Sequence, residues 1–176
     1  MSVRRQSKTA IINALENALV SLLKEMSFED FSIRDLCNRA GVGRSSFYRY
    51  YSSKEDVVIS FLLHIWRVWC DAEGVKIRVI ISPDTARAFI RHHYDYKEIF
   101  DLIYRNKLDS LFPQIVEKNH GGKEEEYREI FFCYGVFGIL HEWWKRGCKD
   151  PQEKLIHTLD SLSLLDKRIV SIQNND

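Results

Sequence analysis

Ser32 to Lys54, SIRDLCNRAGVGRSSFYRYYSSK, is the stretch that decides how this chain of 176 residues is read. Ser32 caps a helix and Asp35, three residues later, closes a capping box. Ile33, Leu36, Cys37 and Ala40 mark one helical face. Gly41 suits the left-handed turn that ends such a helix. After a tight Gly41-Val42-Gly43 corner, a second short helix presents Arg44, Ser45, Ser46, Tyr48 and Arg49 outward. Phe47 and Tyr51, four apart, point back into a small core. Two short helices joined by a glycine corner form the helix-turn-helix geometry, whose second helix enters the DNA major groove. Arginine and hydroxyl side chains are those that serve base edges and phosphates.

Working outward, helix follows helix. Ile11, Leu15, Ala18, Leu22 and Met26 recur at helical spacing before Ser27 to Phe31 breaks the pattern. Ser53 with Asp56 opens a fourth helix, expected to run to about Glu73 and stop near Gly74. Val75 to Ile81 has no second strand to pair with and reads as helix end and loop. Ser82-Pro83-Asp84 is a helix start. Arg87 to Lys118 holds two or three short helices, interrupted near Tyr94 to Tyr96 and near Asn106 or Pro113. Gly121-Gly122 is a clear break. Beyond it Glu124 to Arg146 reads as a helix whose end charges match its dipole. Gly147 terminates that helix and Pro151 starts the last, in which Leu155, Leu159, Leu162, Leu165, Ile169 and Ile172 form an a/d seam.

Composition narrows the classes. Apolar residues make up 45% of the chain, enough for a packed core, and the net charge is +1. Residues 1–54 carry nine Lys/Arg against five Asp/Glu, the remainder seventeen against twenty. A basic head on an acidic body fits a DNA-binding end. Cys37, Cys70, Cys133 and Cys148 are scattered, with no CxxC pair, and read as reduced thiols of a cytoplasmic protein. The most apolar run, Ile130 to Leu140, is shorter than the ~20 residues that span a bilayer, and the polar start predicts a soluble chain without a signal peptide. The six histidines are isolated or adjacent, so no metal site is expected. No GxSxG, HExxH, phosphate loop or Cys-His pairing marks an enzyme.

At Ala40-Gly41-Val42, Arg44-Ser45-Ser46, Phe47-Tyr48-Arg49-Tyr50-Tyr51 and Ser53-Lys54-Glu55-Asp56 the sequence resembles the TetR family of bacterial transcriptional regulators. The match covers some fifty N-terminal residues. Beyond residue 60 it is architectural, with an echo at Gly138 to Pro151. One departure is Gly43, where family members often carry Ser or Thr, so the cap of the reading helix is weaker. The resemblance implies that Ser32, Tyr48 and Lys54 hold phosphates and that Arg44, Ser45, Ser46 and Tyr50 face bases, with Arg49 on the same outward surface. It also implies an effector pocket among the body helices, for which the aromatic Trp66, Trp69, Phe100, Tyr104, Tyr134 and Trp143 are the candidates.

The expected architecture is all-α, about nine helices: a three-helix DNA-binding head over 1–54 and a ligand-binding and dimerisation body over 55–176. Gly135 and Gly138, with Leu159, Leu162, Leu165 and Ile169, are the expected dimer interface, since a palindrome-reading protein needs a two-fold partner. The expected function is a ligand-responsive repressor that binds inverted-repeat double-stranded DNA as a homodimer, with no cofactor beyond a small-molecule effector. Two other readings stand beside it. One is an activator or co-regulator whose body binds a protein partner. The other is a helical enzyme or lipid-binding protein with a coincidental helix-turn-helix.

Overall fold

The computed structural model describes residues 7–75, 83–120 and 127–173, which form nine α-helices and two 3₁₀ turns with no strand among them. The all-α expectation holds. The helices are α1 (Lys8–Glu25), α2 (Ile33–Ala40), α3 (Arg44–Tyr48), α4 (Lys54–Ala72), α5 (Pro83–Asp95), α6 (Lys97–Arg105), α7 (Phe112–His120), α8 (Tyr127–Lys145) and α9 (Gln152–Gln173). Short 3₁₀ turns lie at Phe28–Asp30 and Leu108–Leu111. The run 76–81, the Gly121-Gly122 break and the glutamates 124–126 lie outside the described residues. None of the described helices is long and apolar enough to cross a membrane.

The chain divides into two compact units, one of residues 1–65 and 102–115, the other of residues 66–101 and 116–176. The head predicted over 1–54 is therefore joined by the first turns of α4 and by a segment some fifty residues further along the chain. Only the tertiary pairing places that segment there.

The first unit is built on α1. Ser7 caps it by accepting from the Ala10 N–H at 3.2 Å, and its Leu15 and Leu19 are wholly buried. Met26, the last member of the predicted stripe, lies past the helix end and is exposed instead. Arg39 on α2 grips Glu25 on α1 with two bonds of 2.6 and 2.7 Å and also donates to Ser21. The Glu25 carboxyl is held below its usual range by that guanidinium. One α1 residue breaks the apolar pattern: Glu16 is buried. Its carboxylate is answered from α4, by His64 Nδ1 at 2.7 Å and by the Ser60 hydroxyl at 3.4 Å, and Ser60 accepts in turn from Tyr51 at 3.0 Å. A buried carboxylate needs such partners to remain in the core.

In the second unit, Trp66 and Trp69 stack at 5.7 Å, and Phe89, Tyr96 and Phe100 join them around the buried His92 ring. His93 stacks on Phe100 at 3.7 Å and donates from Nδ1 to the Phe89 carbonyl. Arg87 on α5 reaches Asp160 on α9 at 2.8 Å. Three cysteines are buried and Cys148 is half-buried. Burial pushes the Cys70 thiol up to about 11, aided by the charge of Asp71, which keeps it protonated and unreactive.

Candidate nucleic-acid interface

The corner of the helix-turn-helix follows from its local sequence. Ser32 Oγ accepts from the Asp35 N–H while the Asp35 carboxylate accepts from the Ser32 N–H, the reciprocal capping box. Gly41 ends α2 at φ 63°, a left-handed conformation that side chains with a Cβ adopt only at a cost. The Gly41 N–H then bonds to Asn38 O, and the Val42 N–H to Cys37 O, satisfying carbonyls that the helix end leaves open. Val42 is buried at the corner. Gly43 starts α3 with no side-chain cap.

Helix α3 is short and is held by one anchor. Phe47 is wholly buried, and Tyr51, just beyond the helix, is buried beside it at 5.8 Å between ring centres. With those two rings turned inward, Arg44, Ser45, Tyr48 and Arg49 face solvent, and Ser46 and Tyr50 are half-buried. Tyr48 is 55% exposed while its ring edge rests on Phe47, so its hydroxyl is presented on a braced ring. This surface offers guanidinium and hydroxyl groups on four of the five residues of α3, Arg44, Ser45, Ser46 and Tyr48, and on the two that follow.

Two of the expected contact residues are engaged within the head. The Ser32 hydroxyl donates to Asp35 Oδ2 at 2.7 Å, so both the Ser32 N–H and O–H are spent on the cap. The same bonds, hydroxyl first, hold the Asp35 carboxyl below its usual range. Lys54, expected on a phosphate, turns its ammonium inward: it donates to Phe28 O at 2.5 Å and Phe31 O at 2.7 Å. The same group sits 4.3 and 4.8 Å from the centres of the Phe28 and Phe31 rings. Ser53 behaves as the sequence predicts, accepting from the Asp56 N–H to cap α4.

Residues 17–61 match the family of bacterial regulatory proteins, tetR family. This segment is a TetR-type DNA-binding domain. The matched segment runs from the middle of α1 to the early turns of α4 and so contains the whole helix-turn-helix. By that domain the protein is a DNA-binding transcriptional regulator. A search of curated proteins finds no match to the chain.

The candidate residues outside the head are not all gathered into one place. Trp66, Trp69 and Phe100 meet around His92, whereas Trp143 stacks on Tyr94 and donates to the Asp150 carbonyl. Tyr134 lies on the exposed side of α8, and Tyr104 belongs to the first unit. Of the predicted interface residues, Gly135, Gly138 and Leu162 are exposed, and a Cβ added at either glycine would meet nothing within 4 Å. Leu159 is buried at 2% and is spent on the chain's own core. The side chains of Leu165 and Ile169 lie outside the described residues. Sequence reasoning missed Glu16, Asn106 and the paired His92 and His93. Each is a polar residue with at least one partner on another helix or a distant segment, which no local spacing marks.

Proposed function

We propose that this TetR-family protein binds an inverted-repeat operator as a homodimer and represses transcription until a small, mostly apolar effector binds its second unit. The outward face of α3 carries the reading: Arg44, Ser45, Ser46, Tyr48, Arg49 and Tyr50 combine base-edge and phosphate chemistry on one short helix. Arg44 is the residue suited to pair two-fold with a guanine. Ser32 and Lys54 frame that helix rather than touch the duplex. A regulator of transcription acts where the DNA is, which for a bacterial protein is the cytoplasm.

The dimer is supported by the outer face of α8, where Phe131 is 79% exposed and Tyr134, Gly135 and Gly138 are also open, and by Leu162 on α9. Large apolar side chains left in water beside glycines that allow close helix approach suit a self-complementary helical interface. The effector reading is supported by the density of aromatic rings around Trp66, Trp69 and Phe100. An effector acts by favouring the arrangement of the dimer that cannot span two half-sites about 34 Å apart.

Selection of bound duplexes from a random pool tests the reading. The expected product is an inverted repeat with half-sites one helical turn apart, bound by a species that sediments as a dimer. Enrichment of no sequence at low salt sinks it, and a monomer at micromolar concentration removes the palindrome.

A further inference from the structure

We infer that Asn106 and Lys54 are positioning residues for DNA reading, acting together on the two backbone groups of Phe28; this rests on the DNA-binding reading above. Phe28 is buried and begins the 3₁₀ turn that leads directly into α2. Its N–H donates to Asn106 Oδ1 at 2.8 Å, across 78 residues of sequence. Its carbonyl accepts from Lys54 at the start of α4. The first N–H groups of a helical turn have no partner within the turn, and Ser27, the local N-cap, makes no side-chain cap bond here. Asn106 supplies that cap from a distance.

The asparagine is itself fixed. Its Nδ2 donates to Leu102 O at 2.9 Å, and its backbone N–H bonds to the same carbonyl at 3.2 Å. Lys107, the next residue, is left-handed at φ 57° without being glycine, a conformation that persists only where the surroundings hold it. On the other side, one ammonium joins Phe28 O to Phe31 O while packing over both rings, which are edge-on at 5.5 Å. The segment that leads into the helix-turn-helix is thus held at one residue from two sides. One side is the first residue of α4; the other is the loop after α6. Both helices extend into the second unit along the chain. A change in either alters the pose of α2, and α3 is carried on α2 through the Gly41 corner. This makes Phe28 the joint through which α4 and α6 set the angle of the reading helix.

The role differs from a phosphate contact in what it predicts. Removing a phosphate contact weakens all sequences alike and lowers the salt slope by about 0.9. Removing a positioning bond leaves the number of phosphate contacts unchanged and harms the sequence that needs correct geometry. The test measures affinity of the full chain for its selected duplex and for random duplex across a salt series. Asn106→Ala is expected to lose about tenfold on the selected duplex, the worth of one part-buried hydrogen bond, with little loss on random DNA. Asn106→Asp keeps an oxygen for the Phe28 N–H while giving up the Nδ2 bond to Leu102 O, and should restore part of the binding that Asn106→Ala loses, which a general loss of stability would not predict. Lys54→Met keeps an unbranched side chain without the ammonium that serves both carbonyls and should also lose selected-duplex affinity, with an unchanged salt slope. Hydrogen exchange of the Phe28 amide reads the joint without DNA: slow in the wild type and in Asn106→Asp, faster in Asn106→Ala. A wild-type Phe28 amide that exchanges at the open-chain rate overturns the inference, as does wild-type affinity in Asn106→Ala or a salt slope lowered by Lys54→Met. A wild-type protein that binds no duplex while its Phe28 amide is protected overturns the DNA-binding reading and the positioning role with it, but leaves the joint itself standing.

Discussion

At Gly43 the first N–H groups of α3 receive no side-chain acceptor, although the backbone there, at φ −68° and ψ 143°, is already that of a capping residue. A Cβ at this position meets only Ser45 Oγ, at 3.9 Å. Gly43→Ser should therefore fit and add a cap, raising stability by roughly a few tenths of a kcal/mol. Thermal melting of the two proteins checks this, and a loss of stability would mean that the corner has no room for the hydroxyl. One residue further on, Arg44 is exposed and is the α3 side chain best suited to a guanine edge. Arg44→Ala should cost about 1–3 kcal/mol on the selected duplex and relax preference at one base position. An equal loss on random duplex would place Arg44 on the phosphates instead.

At the scale of the element, α2 depends on its first residue. Ser32→Ala removes both the hydroxyl acceptor and its bond to Asp35, and should lower stability by about 1 kcal/mol. Because the folded Asp35 carboxyl is held low by Ser32, the carboxylate half of the cap is complete above the ordinary aspartate range and is lost as pH falls through the lowered value, while the Asp35 N–H bond to Ser32 Oγ stays. The stability gap between Ser32→Ala and wild type should accordingly narrow in acid without closing. Helix α8 makes the opposite case, since it carries a large apolar side chain in solvent. Phe131 is 79% exposed, so Phe131→Asp removes little from the protomer's own core. Helix content should survive, while sedimentation shifts toward monomer and affinity for the inverted repeat falls. Unchanged dimer at micromolar concentration would place the interface elsewhere.

At the scale of the whole molecule, the buried histidines make stability depend on pH. His93 lies among aromatic rings, and burial first, then the neighbouring His92, push it well below the usual histidine value of 6.5. The bond to the Phe89 carbonyl opposes this but does not reverse it. Tyr96 packs against His92 at 5.1 Å, and the Asp95 carboxylate accepts from Trp69, whose ring also packs against His92. A folded histidine held neutral binds no proton where the unfolded chain does. The stability it contributes is present above about pH 6.5 and declines as pH falls below it, at up to about 1.4 kcal/mol per pH unit for one site. The melting temperature should drop from pH 7 to pH 5, and His93→Phe should flatten that slope. An equal slope in the variant would assign the acid sensitivity to another group.

The all-α architecture, the helix-turn-helix and the face that α3 turns outward were legible in the residues alone. Each rests on interactions within four residues or on a repeat of three and four: the Ser32–Asp35 box, the Gly41 corner, and the Phe47–Tyr51 pair that turns Arg44 and Tyr48 to solvent. Local bonds of this kind are determined by local spacing, so composition and periodicity suffice to read them. The tertiary structure alone decided where Lys54 points, which residue caps the turn at Phe28, how Glu16 is satisfied, and which leucines of α9 remain exposed. Those outcomes depend on which distant segment arrives beside a polar group, and desolvation forces a pairing that no spacing in the chain announces. Lys54 shows the difference most plainly. Its place at the start of α4 was readable from Ser53 and Asp56, but the two carbonyls it serves belong to a turn more than twenty residues earlier.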